Sequence, residues 1–228
     1  MECWEKFQKV IGISDRVLLY GVPGTGKTHQ AVLTNLPKNK QVFQTTLTAD
    51  SSATELVGHY IPDGDGGFDW NDGIGMKAWR TGGRLVINEI DHAGIDVMSV
   101  LYAILDDPSV AKFTLPNQSK ETVKPKKGFE VIATMNGVPQ DLPEAIADRF
   151  SVKINIDTVH PKAIESLPEN LQYAYSKNLA EDEIPMSIRA WKAFAKLSET
   201  LPVSEAAEIV FHPDEVEYVV QALELQDV

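Results

Sequence analysis

Cysteine is almost missing from this chain of 228 residues. Its single member, Cys3, excludes an intramolecular disulfide and any cysteine-built metal cluster, and reads as a neutral side chain near the N-terminus. Long apolar runs are missing as well: no stretch approaches the ~20 residues that a membrane-spanning helix needs. The opening Met1-Glu2-Cys3-Trp4-Glu5-Lys6 lacks the basic-then-apolar order of a secretion signal, so a cytoplasmic chain with no membrane partner is expected. Positive charge is in deficit, with 21 Lys and Arg against 33 Asp and Glu and a net charge of −12. Phosphate backbones are bound chiefly through Lys and Arg, so a general nucleic-acid coat is disfavoured and protein partners are expected first. The densest basic stretch, Lys120 to Lys127 (K-E-T-V-K-P-K-K), reads as a solvated loop. Internal repeats and low-complexity tracts are absent.

What is present alternates. Short apolar, strand-like runs occur at 16–20, 41–45, 84–88, 129–134 and 152–156, and helical patterns lie between them at 28–35, 51–57, 75–80, 95–106 and 143–148. Short continuous apolar strands separated by helices are the pattern of a wound α/β sheet buried on both faces. After Asp157 the spacing is helical only, in segments 161–178, 186–198, 204–210 and 213–225. The expected organisation is an α/β domain over 1–158 and a small all-helical domain over 159–228. Two Gly- and Pro-rich interruptions, near 59–73 and 113–127, break the rhythm. Both are expected to be β-hairpin insertions, the first most plainly from its apolar pairs around a glycine-rich turn, and both are candidates for surfaces that touch a partner.

Directly after the run Val17-Leu18-Leu19-Tyr20 come Gly21, Val22, Pro23, Gly24, Thr25, Gly26, Lys27 and Thr28, followed by His29 at the start of a helical pattern. A strand running through this glycine-rich loop into a helix is the arrangement that cradles a phosphate. Glycines let backbone N–H groups approach the anion, Lys27 supplies a point charge, and the Thr28 hydroxyl is placed for Mg²⁺. Nucleotide binding with Mg²⁺ is expected; ATP is the expected cofactor, with GTP left open because these residues do not read the base.

The third strand ends Leu85-Val86-Ile87-Asn88-Glu89-Ile90-Asp91. Ligands in wound sheets bind at the carboxyl ends of the strands, which makes Glu89 the candidate for polarising an attacking water. Asn88 stands where an aspartate would hold the metal's water shell. Its amide lacks the charge, so weaker Mg²⁺ binding and slow or absent turnover are expected, and Asn88→Asp is expected to tighten the metal. Asp91 offers negative charge nearby. The fourth strand leads to Asn136, a candidate to hold the lytic water or a phosphate, with a simple Asn136-Gly137 turn as the alternative. Arg149 closes a helical segment before the last strand, either as a transition-state contact for a neighbouring subunit or as a local ion pair with Asp148 or Glu144.

Taken together, Gly21 to Thr28, Leu85 to Glu89, Asn136, Arg149 and Ser187-Ile188-Arg189-Ala190 resemble an AAA+ ATPase of the MoxR and dynein-related branch. Leu56-Val57-Gly58 before the hairpin, Asp72-Gly73, Asn88 to Asp91 and Ala147 to Phe150 point to that branch. The resemblance implies a five-stranded parallel P-loop NTPase sheet with flanking helices and a small all-α lid. It also implies Lys27 and Thr28 on phosphate and Mg²⁺, Glu89 as the Walker B glutamate, Asn136 as sensor 1, Arg149 as arginine finger and Arg189 as sensor 2. Nucleotide would sit between sheet domain and lid in a homo-oligomeric ring, usually a hexamer, that remodels a protein client or a von Willebrand A-type partner. Two other functions fit the same residues. One is a nucleotide-gated scaffold with little turnover, favoured by Asn88; the other is the motor subunit of a DNA-processing, McrB-like complex that uses GTP.

Overall fold

The computed structural model describes residues 2–181 and 186–224. They divide into two compact units, one made of the residues up to Val22 together with Lys27–Asp157, the other of Pro23–Gly26 and the residues from Thr158 on. The first unit runs α1 (Cys3–Val10), β1 (Arg16–Tyr20), α2 (Lys27–Leu33), β2 (Val42–Thr46), α3 (Ala53–Val57), β3 (Gly58–Pro62), β4 (Phe68–Asp72), α4 (Ile74–Thr81), β5 (Arg84–Asn88), α5 (Ile95–Ile104), β6 (Phe113–Thr114), β7 (Thr122–Val123), β8 (Glu130–Thr134), α6 (Glu144–Ala147) and β9 (Val152–Asn155). The second carries α7 (Pro161–Glu165), α8 (Glu169–Glu181), α9 (Ile188–Leu197), α10 (Val203–Val210) and α11 (Pro213–Glu224).

Five strands form one parallel sheet in the order β2-β5-β8-β1-β9. Every residue of the adjacent strands β5 and β8 is buried, which is why both read as near-continuous apolar runs. Successive side chains feed two cores. Leu18, Leu85, Ile87, Val131 and Ala133 join Trp79, Leu101 and Phe150 on one side, while Val17, Leu19, Val86 and Ile132 join Trp4 and Phe7 on the other. Helix α1 is the element that the sequence pattern did not reveal. It places Cys3, Trp4 and Phe7 in the second core, so the thiol is a small buried apolar group rather than an exposed terminus.

Two buried arginines fasten the amino-terminal edge of this sheet. Arg16 at the start of β1 donates to the carbonyls of Ile104, Leu105 and Asp106 at the end of α5. Arg84 at the start of β5 donates to Ala31 and Thr34 at the end of α2 and pairs with Glu130 at 2.8 Å. Each satisfies helix-terminal carbonyls that have no intrahelical donor and meets the negative end of a helix dipole. The carboxyl-terminal edge is thereby left to the loops that bear the candidate site.

Two antiparallel ribbons stand apart from the sheet. β3 pairs with β4 so that Tyr60 faces Trp70 and Pro62 faces Phe68; β6 pairs with β7, with Phe113 opposite Val123. In the helical unit, Leu171, Tyr175, Ile188, Trp191, Phe194, Phe211 and Val219 form the core. The pattern over 161–178 resolves into two helices because Pro168 has no N–H to donate and forces the preceding residue away from helical geometry. Residues 182–185 and 225–228 lie outside the described residues, and with them the last position of the helical segment expected over 213–225.

Candidate nucleotide site

β5, β8 and β1 are consecutive neighbours, and because they are parallel their following residues emerge at one edge. Gly21 follows β1, Glu89 follows β5 and Asn136 lies just past β8. Lys27, the first residue of α2, is buried and donates from Nζ to the carbonyls of Gly21 at 2.9 Å and Val22 at 2.7 Å and to Asn136 Oδ1 at 3.2 Å. The other face of the same amide donates from Nδ2 to Glu89 Oε2 at 3.1 Å. Its orientation is set by chemistry, since an ammonium only donates and a carboxylate only accepts. Lys27, Asn136 and Glu89 thus form one charge-assisted run across three strand ends.

The backbone under this run is specialised. Gly21 has φ of 115°, and a Cβ there would lie 2.5 Å from Asn155 Oδ1 and 2.8 Å from the Ile156 carbonyl, so only glycine fits. Glu89 adopts the left-handed conformation, φ 53° and ψ 47°. An L-residue held there costs about 1–2 kcal/mol, and the conformation turns the chain sharply from β5 into the 3₁₀ turn Ile90–His92. Thr28 is half-buried in the first turn of α2 and His29 beside it is exposed.

Residues 23–26 of the loop belong with the helical unit. Thr25 is buried and its carbonyl accepts from the backbone N–H of His160 at 3.2 Å; a Cβ on Gly24 would come within 3.6 Å of the Ser187 Cβ. His160, which sequence reasoning passed over, also caps α7 by accepting at Nδ1 from the Lys162 N–H. The His160-Pro161 pair before a helical pattern was the available signal. Pro23 and Val22 are exposed, and Gly26 is half-buried. In the same unit Ser187 caps α9 by accepting from Ala190, and Arg189 sits exposed in the helix's first turn.

Asn88, expected beside the metal, is otherwise engaged. It is 3% exposed, donates from Nδ2 to the Thr45 carbonyl at 3.1 Å, and accepts at Oδ1 from the Thr134 hydroxyl at 3.2 Å. A backbone carbonyl can only accept, so the amide nitrogen must face Thr45. Asn88 therefore stitches β2, β5 and β8 together. Asp91 offers an uncommitted oxygen: its Oδ1 is buried without a hydrogen-bond donor among the described residues, and ligand atoms of Glu89, Asp91 and His92 lie within 4.8 Å of one another. The two carboxylates of this group, one with an orphaned oxygen, suit a hard divalent cation, with the His92 imidazole a nitrogen donor beside them. Arg149 follows α6, donates to the carbonyls of Tyr102 at 3.1 Å and Ala145 at 2.6 Å, and lies 5.2 Å from the Tyr102 ring centre. Carbonyls and a ring hold it, rather than Asp148 or Glu144.

A glycine-rich loop after a central strand of a five-stranded parallel sheet, with a lysine, a glutamate and an amide meeting at adjoining strand ends, defines the P-loop NTPase class. The chain belongs, more narrowly, to the AAA domain family, dynein-related subfamily, whose family model matches residues 16–150. Among curated relatives it is 30% identical over 126 residues to Midasin of Dictyostelium discoideum, covering 54% of this chain and 2% of Midasin. It is 31% identical over 159 residues to an uncharacterized protein of Staphylococcus saprophyticus, covering 67% of this chain and 59% of that protein. It is 29% identical over 148 residues to the uncharacterized YojN of Bacillus subtilis, covering 62% and 48% respectively. The chain thus spans about half to three-fifths of the length of these bacterial relatives.

Proposed function

We propose that this chain is an ATP hydrolase whose turnover drives the remodelling or activation of a partner protein. The observation that carries the reading is the Lys27–Asn136–Glu89 run, in which one amide reads both the loop lysine and the carboxylate. Lys27 would exchange the Gly21 and Val22 carbonyls for phosphate oxygens, and Asn136 would keep Glu89 in place beside the incoming water. Glu89, left-handed and half-buried, offers its carboxylate as the proton acceptor for that water. Mg²⁺ supplies neutralisation of phosphate charge when bound, and Thr28 together with Asp91 are the residues that would hold it, Asp91 providing the charge that Asn88 lacks. Family membership supports a ring of protomers, usually a hexamer, in which Arg149 leaves its Tyr102 carbonyl to serve the adjacent subunit's site. A von Willebrand A-type protein is one partner class consistent with the family.

One observation favours a second reading, a nucleotide-gated scaffold with little turnover. Asn88 is consumed by the sheet and contributes no charge at the metal. Steady-state phosphate release separates the two. Mg²⁺-dependent turnover well above a Glu89→Gln control supports the hydrolase, whereas turnover equal to that control at high protein concentration assigns the scaffold.

A further inference from the structure

The β3–β4 ribbon carries an aromatic face that is covered at its base and open at its tip. Register and alternation put Tyr60, Trp70, Pro62 and Phe68 on one face of the ribbon. Trp70 packs against the main core and meets Tyr60 edge-to-face at 5.3 Å, but Phe68 is 67% exposed and Pro62 beside it is exposed too. On the opposite face Ile61 is 40% exposed. Between Gln41 and Met76 the chain has no Lys or Arg, while Asp50, Glu55, Asp63, Asp65, Asp69 and Asp72 all fall there. The ribbon's own charged side chains are therefore all acidic; Asp72 at the base is paired with Arg80, while Asp63 and Asp65 lie in the turn beside the apolar tip.

The ribbon is also held stiffly. Asp63 Oδ1 accepts from the N–H groups of Asp65 and Gly67 and closes the turn. At the base, Arg80 of α4 donates to Asp72 and, through both terminal nitrogens, to Glu121 beside β7; these bonds hold the Glu121 carboxyl below its ordinary range. The Tyr60 hydroxyl accepts from the Gln118 N–H, so the second ribbon braces the first. Binding to a braced ribbon does not pay for ordering it, which favours a surface that receives a partner over a loop that wanders.

We propose that the tip of the β3–β4 ribbon is a docking surface for a basic peptide segment that carries large apolar side chains. Phe68 and Pro62 receive the apolar groups, and Asp63 and Asp65 in the adjoining turn pair with flanking Lys or Arg, the charge pattern disfavouring acidic segments. This surface goes beyond the nucleotide reading and does not depend on it.

The test is fluorescence anisotropy of the full chain with three labelled peptides, alternating Lys-Leu, Glu-Leu and Lys-Ser. Preferential binding of Lys-Leu is expected, weakened about tenfold by Phe68→Ser through lost apolar burial. The substitution Asp65→Asn should weaken its salt dependence, with phosphate release and melting temperature unchanged in both variants. Lys-Leu binding that Phe68→Ser leaves within about twofold, or equal binding of Glu-Leu, overturns the proposal. A concentration-dependent mass abolished by Phe68→Ser also overturns it, since the face would then belong to a second copy of this chain.

Discussion

Replacing Asn88 by aspartate separates what position 88 does for the metal from what it does for the sheet. The substitution keeps an acceptor for Thr134 but puts a carboxylate oxygen where Nδ2 donates to the Thr45 carbonyl at 3.1 Å, in a site 3% exposed. The lost hydrogen bond is worth about 1 kcal/mol. The uncompensated charge costs several kcal/mol more, softened because the Thr46 hydroxyl, 3.4 Å away, can turn to donate. The net expectation is a loss of about 2–4 kcal/mol, or about 5–15 °C in melting temperature for a chain of this size. Burial and the facing carbonyl raise the new carboxylate's folded pKa above its unfolded value of about 3.9. The folded state then binds more protons than the unfolded one between those two values. The variant's deficit must therefore be small near pH 4, grow as pH rises through the folded pKa, and level off above it. Thermal melts across pH without Mg²⁺ read this directly, and a parallel Mg²⁺ titration of turnover tests whether the added charge tightens the metal. A variant that melts within about 1 °C of wild type at pH 8 would refute the reasoning, because a buried, unpaired carboxylate cannot be that cheap.

Glu89→Gly should abolish turnover while leaving stability within about 1 kcal/mol of wild type, because relief of the left-handed backbone offsets the lost hydrogen bond from Asn136; a melting temperature lower by more than about 4 °C contradicts the strain account. Arg149→Ala is expected to eliminate turnover with nucleotide affinity nearly intact, and mixing it with Glu89→Gln protomers should restore activity. Mixtures as inactive as their components would deny action across subunits. Arg84→Ala leaves the Glu130 carboxylate with Lys40 at 2.8 Å as its remaining ion-pair partner and frees the carbonyls at the end of α2. A loss of about 3–5 kcal/mol in a denaturant titration is expected, and an unchanged midpoint would show that these contacts are idle.

The parallel sheet was readable because burial on both faces demands continuous apolar runs: Leu85-Val86-Ile87 and Val131-Ile132-Ala133 admit little else. The phosphate loop was readable for a different reason, since Gly21, Lys27 and Thr28 at their spacing carry the chemistry locally. Helix α1 escaped notice because Cys3, Trp4 and Phe7 are too few for a periodic signal and find their partners only across the sheet. The roles of Arg16 and Arg84 were equally invisible, for the helix-end carbonyls they bind lie 50 or more residues away in the chain.

Sequence alone determined the class of protein: strand, loop and helix around Lys27, and a glutamate and an amide after two later strands. Tertiary structure decided which of those groups touch and which are spent elsewhere. Asn136 is shared between Lys27 and Glu89 because β8 lies between β1 and β5. Asn88 serves the sheet because β2 and β8 flank β5 and bring Thr45 and Thr134 to either side of one amide, while Asp91 keeps a buried oxygen with no donor among the described residues. Strand order is a long-range property, and no local spacing encodes it.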